Sequence, residues 1–385
     1  DSGGEGQWNR WSYRAGPPSL MLLGKADNAL GALQSIQSTL KAEHHDGPPF
    51  KGGWLGYLSY DLGRCFEKLP TEACNDLGWP LFALTWHERV IAHDGTSGRN
   101  YLCSATPPTG IKSDQNFTRT SEKTASERID FQGAVRKVLD YIAAGDVFQV
   151  NLAQRFELPM RRKPADVYRE LRRRYPAGFG AFLNYDNHAL ISNSPELFLK
   201  VDSDRKLITR PIKGTRPRRK GMELQLRDSA KDQAELNMIV DLERNDLGRV
   251  CEIGSVRVTN PREIETHPTV YHGVATIEGR LRKEVGLVEL LRATFPGGSV
   301  TGAPKIRAME IIEELEPVRR GPYCGAIGYL SADGQMQFNI AIRTIVVNQA
   351  RAYVSVGGGI VADSDPADEY EETMVKAQAI FDVLK

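Results

Sequence analysis

The sequence predicts an α+β protein with mostly antiparallel β-sheets. Two observations predict it. Residues 324–331, 336–347 and 353–361 read as a meander joined by tight turns, one at Asp333-Gly334. Helical segments are interspersed among hairpins of this kind, which is the α+β pattern.

The elements follow in chain order. Residues 30–40 form an amphipathic helix, and 50–61 a strand punctuated by Gly52, Gly53 and Gly56. Residues 81–93 read as one further strand. Residues 104–127, with Pro107-Pro108 and many Ser, Thr and Lys, read as a polar surface linker. It divides an N-terminal portion, 1–103, from the rest, 128–385, although both could share one core. The chain begins at Asp1 and is expected to lack its true N-terminus.

Patterning strengthens after Ile129. Residues 131–144 form a helix closed by Gly145, 147–156 are extended, and strands follow at 181–184 and 188–191. Residues 206–215 form one extended segment, in which Leu207, Thr209, Pro211, Lys213 and Thr215 alternate onto one side. A helix runs over 229–247, with Ser229 as N-cap and Gly248 just past its end. Further helices cover 306–315 and 366–384.

Composition bounds the function. The chain has 385 residues, 41% hydrophobic and 26% charged, as in an ordinary soluble globular protein. A net charge of +1 gives no bulk footprint for nucleic acid or membrane. The basic runs 161–163, 172–174 and 216–220 read as solvated faces. Five scattered cysteines without a CxxC pair point to thiols in a reducing compartment, hence a cytoplasmic protein. The glycosylation sequon at Asn116 is read as chance, because no secretory signal accompanies it.

Several residues could carry chemistry. Lys213 stands before a Gly214-Thr215 turn at a strand end, well placed to enter a cavity, although a lysine there is commonly solvated. Asp232 and Glu235 share a helix face, as do Glu369 and Glu372, with Lys376 one turn later. Four carboxylates from two helices could surround a hard divalent cation, although spacing alone favours two separate solvated faces. On the segment 337–347, Asn339, Ala341 and Arg343 alternate to one side, where an arginine binds a carboxylate or a cross-strand partner. Residues 296–305 lead into a helix whose backbone N–H groups could hold an anion; with Ala303 after Gly302, they are not a Walker loop. Gly357-Gly358-Gly359 permits close backbone approach to a ligand.

These residues resemble the chorismate-utilising enzymes. The matching motifs are Pro211 to Thr215, Ser194-Pro195-Glu196, Ser229-x-Lys231-Asp232-x-x-Glu235, Asp241-Leu242-x-Arg244-Asn245-Asp246, Thr301 to Lys305, Gly325 to Tyr329, Ile342-Arg343-Thr344, Gly357 to Ile360 and Glu369-Tyr370-x-Glu372-Thr373. They run in family order from about residue 128 to the end, and residues 50–61 resemble the family's N-terminal portion. The segment that normally precedes it, with its first strands, is expected to be largely absent.

The resemblance implies the fold of the anthranilate synthase component I type, two large, mostly antiparallel β-sheets packed face to face with helices outside, makes 128–385 the chorismate-binding catalytic domain, and implies a specific chemistry. A lysine at the position of Lys213 marks the members that form 4-amino-4-deoxychorismate, a precursor of 4-aminobenzoate and folate; those that form anthranilate carry alanine there. Gln149 stands where the water-activating lysine of isochorismate and salicylate synthases would be. By resemblance, Lys213 is the covalent nucleophile and Glu196 the general acid. Glu235 and Glu369 would hold Mg²⁺ directly, with Asp232 and Glu372 acting through water. Gly214, Thr215, His272, Thr301, Tyr323, Arg343, Gly357, Gly358, Gly359 and Lys376 would line the chorismate site. A separate glutamine amidotransferase subunit would supply ammonia. Where the family has Asn or His after the metal-binding glutamate, this chain has Leu236. An anthranilate-forming enzyme and a catalytically silent homologue are the competing readings.

Overall fold

The computed structural model describes residues 7–41, 47–117 and 129–385. Among these, ten strands form one sheet, six a second and three a small third. All strand pairings within the sheets are antiparallel, as expected for an α+β chain rich in hairpins.

The largest sheet runs Ile212–Pro217, Val270–Arg280, Lys206–Arg210, Leu197–Val201, Met336–Ile340, Ala326–Ser331, Gly53–Leu58, Phe82–His87 and Leu20–Gly24, with Arg257–Thr266 also on Val270–Arg280. The second runs Gly302–Ala303, Gln149–Pro159, Arg351–Ile360, Thr344–Asn348, His188–Ser194 and Phe179–Tyr185. The third joins Trp11–Ala15, Arg89–Asp94 and Asn100–Ser104. The helices are α1 (Ala29–Ser38), α2 (Phe131–Ala143), α3 (Pro164–Arg174), α4 (Met222–Asp228), α5 (Ala230–Gly248), α6 (Leu287–Thr294), α7 (Lys305–Leu315) and α8 (Pro366–Leu384). Among the described residues, no helix is long and apolar enough to cross a membrane.

The two large sheets meet through Tyr57, Ala83 and Ile327 on one side and Leu183, Leu190 and Val346 on the other. The outer face of the largest sheet is covered by α1, α5 and α6, which share a core with Leu33, Trp54, Leu236, Leu290 and Phe338. α3 and α8 cover the second sheet through Val167, Leu171, Ala377, Ile380 and Val383, and α2 and α7 pack near Val150 and Leu152. This places apolar surface of both sheets out of water, the main favourable term in folding.

Several elements differ from the sequence expectation. The strand expected over 81–93 is two strands in different sheets: Phe82–His87 is buried on both faces, whereas Arg89–Asp94 alternates exposed and buried. Strands expected to be absent are present before residue 50, at Trp11–Ala15 and Leu20–Gly24. The N-terminal portion thus shares the largest sheet with the rest of the chain. Residues 113–114 of the linker bind its edge strand: Met21 N–H donates to Ser113 Oγ and Leu23 N–H to Asp114 Oδ2. Phe117 stacks on Tyr185 at 4.8 Å between ring centres. Residues 118–127 of the linker, with Thr118 of the sequon, lie outside the described residues, as do residues 1–6.

The segment 206–215 is broken at Pro211, which has no N–H for the ladder. Both halves pair with Val270–Arg280, and the register shifts between Ile212 and Thr215. The strict alternation expected there is therefore interrupted, and Gly214 takes φ +81°. The segment 336–347 is likewise two strands, one in each large sheet, so Arg343 lies at a crossover and not on a strand face.

Candidate active site

Two crossovers between the large sheets build the centre of the site. The first joins His188–Ser194 to Leu197–Val201 and carries Glu196; the second joins Met336–Ile340 to Thr344–Asn348 and carries Arg343. They are tied side by side: Ile340 N–H donates to Glu196 O, Asn193 N–H donates to Arg343 O, and Ser194 Oγ donates to Ile340 O. Arg343 has φ +49°, an uncommon conformation for a residue with a Cβ. The tied crossovers hold it there.

Glu196 is buried, and burial pushes its carboxyl up to about 7, with Ser299, Lys213, the Ile212 amide and Arg343 working against the rise. Burial also lowers Arg343, with Glu196 opposing. A carboxyl that keeps its proton near neutrality can act as an acid.

Lys213 projects beside Glu235 of α5, at 3.9 Å between Nζ and Oε2, with 11% of its side chain exposed. Burial lowers its ammonium below the ordinary lysine range, with Glu235 opposing most strongly. A Cβ on Gly359 would lie 2.9 Å from Lys213 Nζ and 3.1 Å from Gln149 Oε1, so these three meet. Gln149 is fully buried, and neither amide atom has a hydrogen-bond partner among the described residues.

Gly214 shows why the motif needs glycine. Besides its positive φ, a Cβ there would sit 2.6 Å from Leu226 of α4 and 2.9 Å from Asp232 Cγ of α5. Thr215 Oγ1 and His272 Nδ1 are 2.8 Å apart across the pairing of their strands. His272 is held well below its ordinary range by burial, then by Arg343 and His267, which favours neutral imidazole.

α8 brings the second carboxylate pair. Ser364 Oγ donates to Glu369 Oε1 at 2.6 Å, and Glu369 Oε2 lies 3.2 Å from where a Cβ on Gly358 would be. Lys376 donates to Gly357 O at 2.9 Å and pairs with Glu372 at 2.7 Å. The buried stripe of α8 is Glu369, Thr373, Ala377, Ile380, Val383 and Leu384. Tyr370, Met374 and Phe381 flank this stripe and are half-buried.

The four carboxylates divide into two kinds. Asp232 is paired with Arg216 and Glu372 with Lys376, whose charge lowers it. Glu235 and Glu369 are raised mainly by burial, and Glu372 raises both further. Leu236, which departs from the family pattern, is fully buried and leaves Glu235 on the neighbouring face toward Lys213. No three His, Cys, Asp or Glu side chains among the described residues form a ready-made metal cluster. The donor set is nonetheless all carboxylate oxygen, and the two least compensated carboxylates are those a cation would neutralise, which suits Mg²⁺.

Of the remaining expected residues, Thr301 engages its hydroxyl within its own loop, and Tyr323 lines a neighbouring cavity. Thr301 is buried and donates to Gly297 O. The loop around it pairs with 148–151, since Phe148 N–H donates to Ala303 O and Asn151 N–H to Thr301 O. A Cβ on Gly302 would fall 2.1 Å from Gln149 O, so this glycine serves close backbone approach and not an anion. Tyr323 lines a cavity of about 330 Å³ with Ala153, Glu316, Arg320 and Ser355. Ser355 and Ala153 share a sheet face with Gly357 and Gly359, so this cavity continues the site along the strand.

The sequence reading gave no role to Ser299 or Glu243. The signal for Glu243 was available: it occupies a core position in the apolar stripe Leu236, Ile239, Val240, Leu247 of α5.

The chain matches the family model described as chorismate binding enzyme over residues 6–382. It is 44% identical over 372 residues to aminodeoxychorismate synthase component 1 of Klebsiella aerogenes, covering 91% of this chain and 81% of that protein. It is 41% identical over 368 residues to anthranilate synthase component 1 of Thermus thermophilus, covering 89% and 79%. The crystal structure of anthranilate synthase component I from Streptococcus pneumoniae superposes with a TM-score of 0.84 at 31% identity, covering 98% of this chain and 92% of that one.

Proposed function

The chain belongs to the chorismate binding enzyme family, and we propose that it converts chorismate and ammonia to 4-amino-4-deoxychorismate through a covalent bond to Lys213. The observation that carries this reading is the buried meeting of Lys213 with Gly359 and Glu235, beside a Glu196 that holds a proton near neutrality.

The residues divide the work. Only the neutral amine of Lys213 is a nucleophile, and burial favours that form. Its Nζ forms a bond to carbon 2 of the ring, the ring double bonds shift, and the bond from carbon 4 to its hydroxyl breaks. Glu196 gives that oxygen its proton, and water leaves. Ammonia then bonds to carbon 4, the double bonds shift back, and the bond from Lys213 to carbon 2 breaks. The proton released by ammonia returns to Glu196. Arg343, fixed at the crossover, holds a substrate carboxylate through its planar fork. Lys376 and the backbone at Gly357–Gly359 hold the rest, and Gly214, Thr215 and His272 line the ring. Glu235 and Glu369 would hold Mg²⁺ directly, and Asp232 and Glu372 through water. Bound there, the cation would neutralise the ring carboxylate.

The component 1 names of the relatives support a partner, which we take to be a glutamine amidotransferase subunit that delivers ammonia. The product would feed 4-aminobenzoate formation. The test is a product assay by mass spectrometry with chorismate, Mg²⁺ and an ammonium salt at mildly alkaline pH. Aminodeoxychorismate supports the reading. Anthranilate would move the chain to the activity named for its Thermus relative and overturn the role of Lys213. If neither forms even with the amidotransferase and glutamine added, the silent homologue stands.

A further inference from the structure

Three strands of the largest sheet carry a row of polar side chains across it. Thr215 of Ile212–Pro217 stands opposite His272 of Val270–Arg280, which in turn stands opposite Glu265 of Arg257–Thr266. Directly opposed residues share one face of a sheet and lie within contact of each other. His267 joins this row from outside the ladder. It opens the hairpin turn between Arg257–Thr266 and Val270–Arg280, where its N–H donates to Val270 O. Side chains at such turns are ordinarily solvated, yet only 15% of this one is exposed. Its ring meets that of His272 edge to face, at 5.0 Å between centres. Its Nε2 stands 3.4 Å from Glu265 Oε2, within reach of a charge contact but without hydrogen-bond alignment. The other oxygen of Glu265 accepts from the buried Arg210, which also donates to Thr276 Oγ1 at 3.2 Å. Burial raises the Glu265 carboxyl, but His267 and Arg210 together bring it below the ordinary range.

His272 needs a neighbour of this kind. The last torsion of a histidine side chain is soft and roughly two-fold, so packing and hydrogen bonds must choose its orientation. On one side the imidazole is held by Thr215 Oγ1, 2.8 Å from Nδ1, and by the Gly214 backbone. Both belong to an irregular strand, in which the register shifts between Ile212 and Thr215 and Gly214 has φ +81°. The ring of His267 adds a restraint from the other neighbouring strand, and aromatic contacts of this geometry are favourable beyond the area they bury.

We propose that His267 is a positioning residue for His272: seated on Glu265, which Arg210 holds, its ring packs on the imidazole and keeps Nδ1 of His272 on Thr215. Which nitrogen of a neutral imidazole carries the proton follows from the hydrogen bond the ring makes, so fixing the ring also fixes the tautomer. The catalytic consequence rests on reading Thr215 and His272 as part of the chorismate site.

The experiment compares the full chain, labelled with ¹⁵N-histidine, with His267→Ala, which removes the ring, and His267→Phe, which keeps a ring without its nitrogens. His272→Gln identifies the His272 signals. Long-range proton–nitrogen NMR correlations then read its two ring nitrogens without substrate. In the wild type and in His267→Phe, His272 should show the widely separated nitrogen shifts of one neutral tautomer. In His267→Ala the two shifts should draw together as the ring samples both tautomers. In turnover, His267→Ala should lose about tenfold in kcat with KM for chorismate changed less than about twofold, and His267→Phe should recover most of the loss. Unchanged His272 nitrogen shifts in His267→Ala would overturn the proposal, whatever the activity. So would a His267→Phe variant that behaves like His267→Ala. Shifts that move as expected in a chain that makes no aminodeoxychorismate would keep the positioning of His272 and remove only the reading of the site.

Discussion

Lys213 Nζ and Gly359 are so close that a single methyl group on Gly359 would stand 2.9 Å from the nitrogen. The absence of a side chain at one residue therefore decides where another residue's amine can sit.

Gly359→Ala should move the amine rather than unfold the sheet. The atoms nearest the added methyl are the far end of Lys213 and the amide of Gln149. Turnover should fall about 100-fold, the cost of roughly 1 Å of misplacement. A thermal melt should stay near that of wild type. Wild-type kcat in this variant would show that Lys213 is not held by this contact.

Arg343→Lys should raise KM for chorismate at least about tenfold, because lysine lacks the planar fork that grips a carboxylate. Circular dichroism should be unchanged, since the backbone of Arg343, not its guanidinium, ties the crossovers: Asn193 N–H donates to Arg343 O. Steady-state kinetics over a range of chorismate concentrations reads the effect. An unchanged KM would detach Arg343 from the substrate.

Glu196 makes stability depend on pH in a direction opposite to an ion-paired carboxylate. Its carboxyl sits at about 7 when folded, against an ordinary 4.5. Between those values the folded chain holds a proton the unfolded chain has lost, so stability falls as pH rises through that window. Glu196→Gln lacks this loss and should gain on wild type by about 3 kcal/mol across it. Denaturant melts at a series of pH values measure the difference; a constant gap would mean that Glu196 is not desolvated.

Glu369→Gln should weaken Mg²⁺ binding about tenfold or more, and chelation of the metal should abolish turnover in the wild type. Displacement of Mn²⁺ followed by electron paramagnetic resonance gives a readout separate from activity. Equal affinity in variant and wild type would remove Glu369 from the metal site.

Arg320 anchors the strand behind the site. It pairs with Glu316 and donates to Val300 O and Asn151 O, all at buried positions. Arg320→Met alone should cost about 3–5 kcal/mol by leaving Glu316 buried and unpaired, and much less when combined with Glu316→Leu. Denaturant unfolding of the three variants tests this; additive losses would mean that the two residues are not coupled.

Much of the molecule was legible locally. Residues 366–384 read as a helix and form α8, Ser229 caps α5 by accepting from Asp232 N–H, and Gly145 at φ +82° follows α2. These features depend on helical period and capping, which involve residues close in sequence. The lysine before Gly214-Thr215 was legible for the same reason, as were the paired carboxylates at spacing three.

Tertiary structure decided the rest. Nothing near residue 341 in sequence says that the chain leaves one sheet for the other there, yet that crossover sets the conformation of Arg343 and its place beside Glu196. The sequence marks Glu243 as an acid in an apolar stripe, but only the arrival of Thr209, Gly298 and Glu196 from distant elements determines what surrounds it. The sequence by itself determined the helices over 131–144, 229–247 and 366–384, the motif residues and the family they resemble. Sheet membership, the crossovers and the protonation of buried groups were decided by the fold, because strand pairing and desolvation arise from residues far apart in the chain.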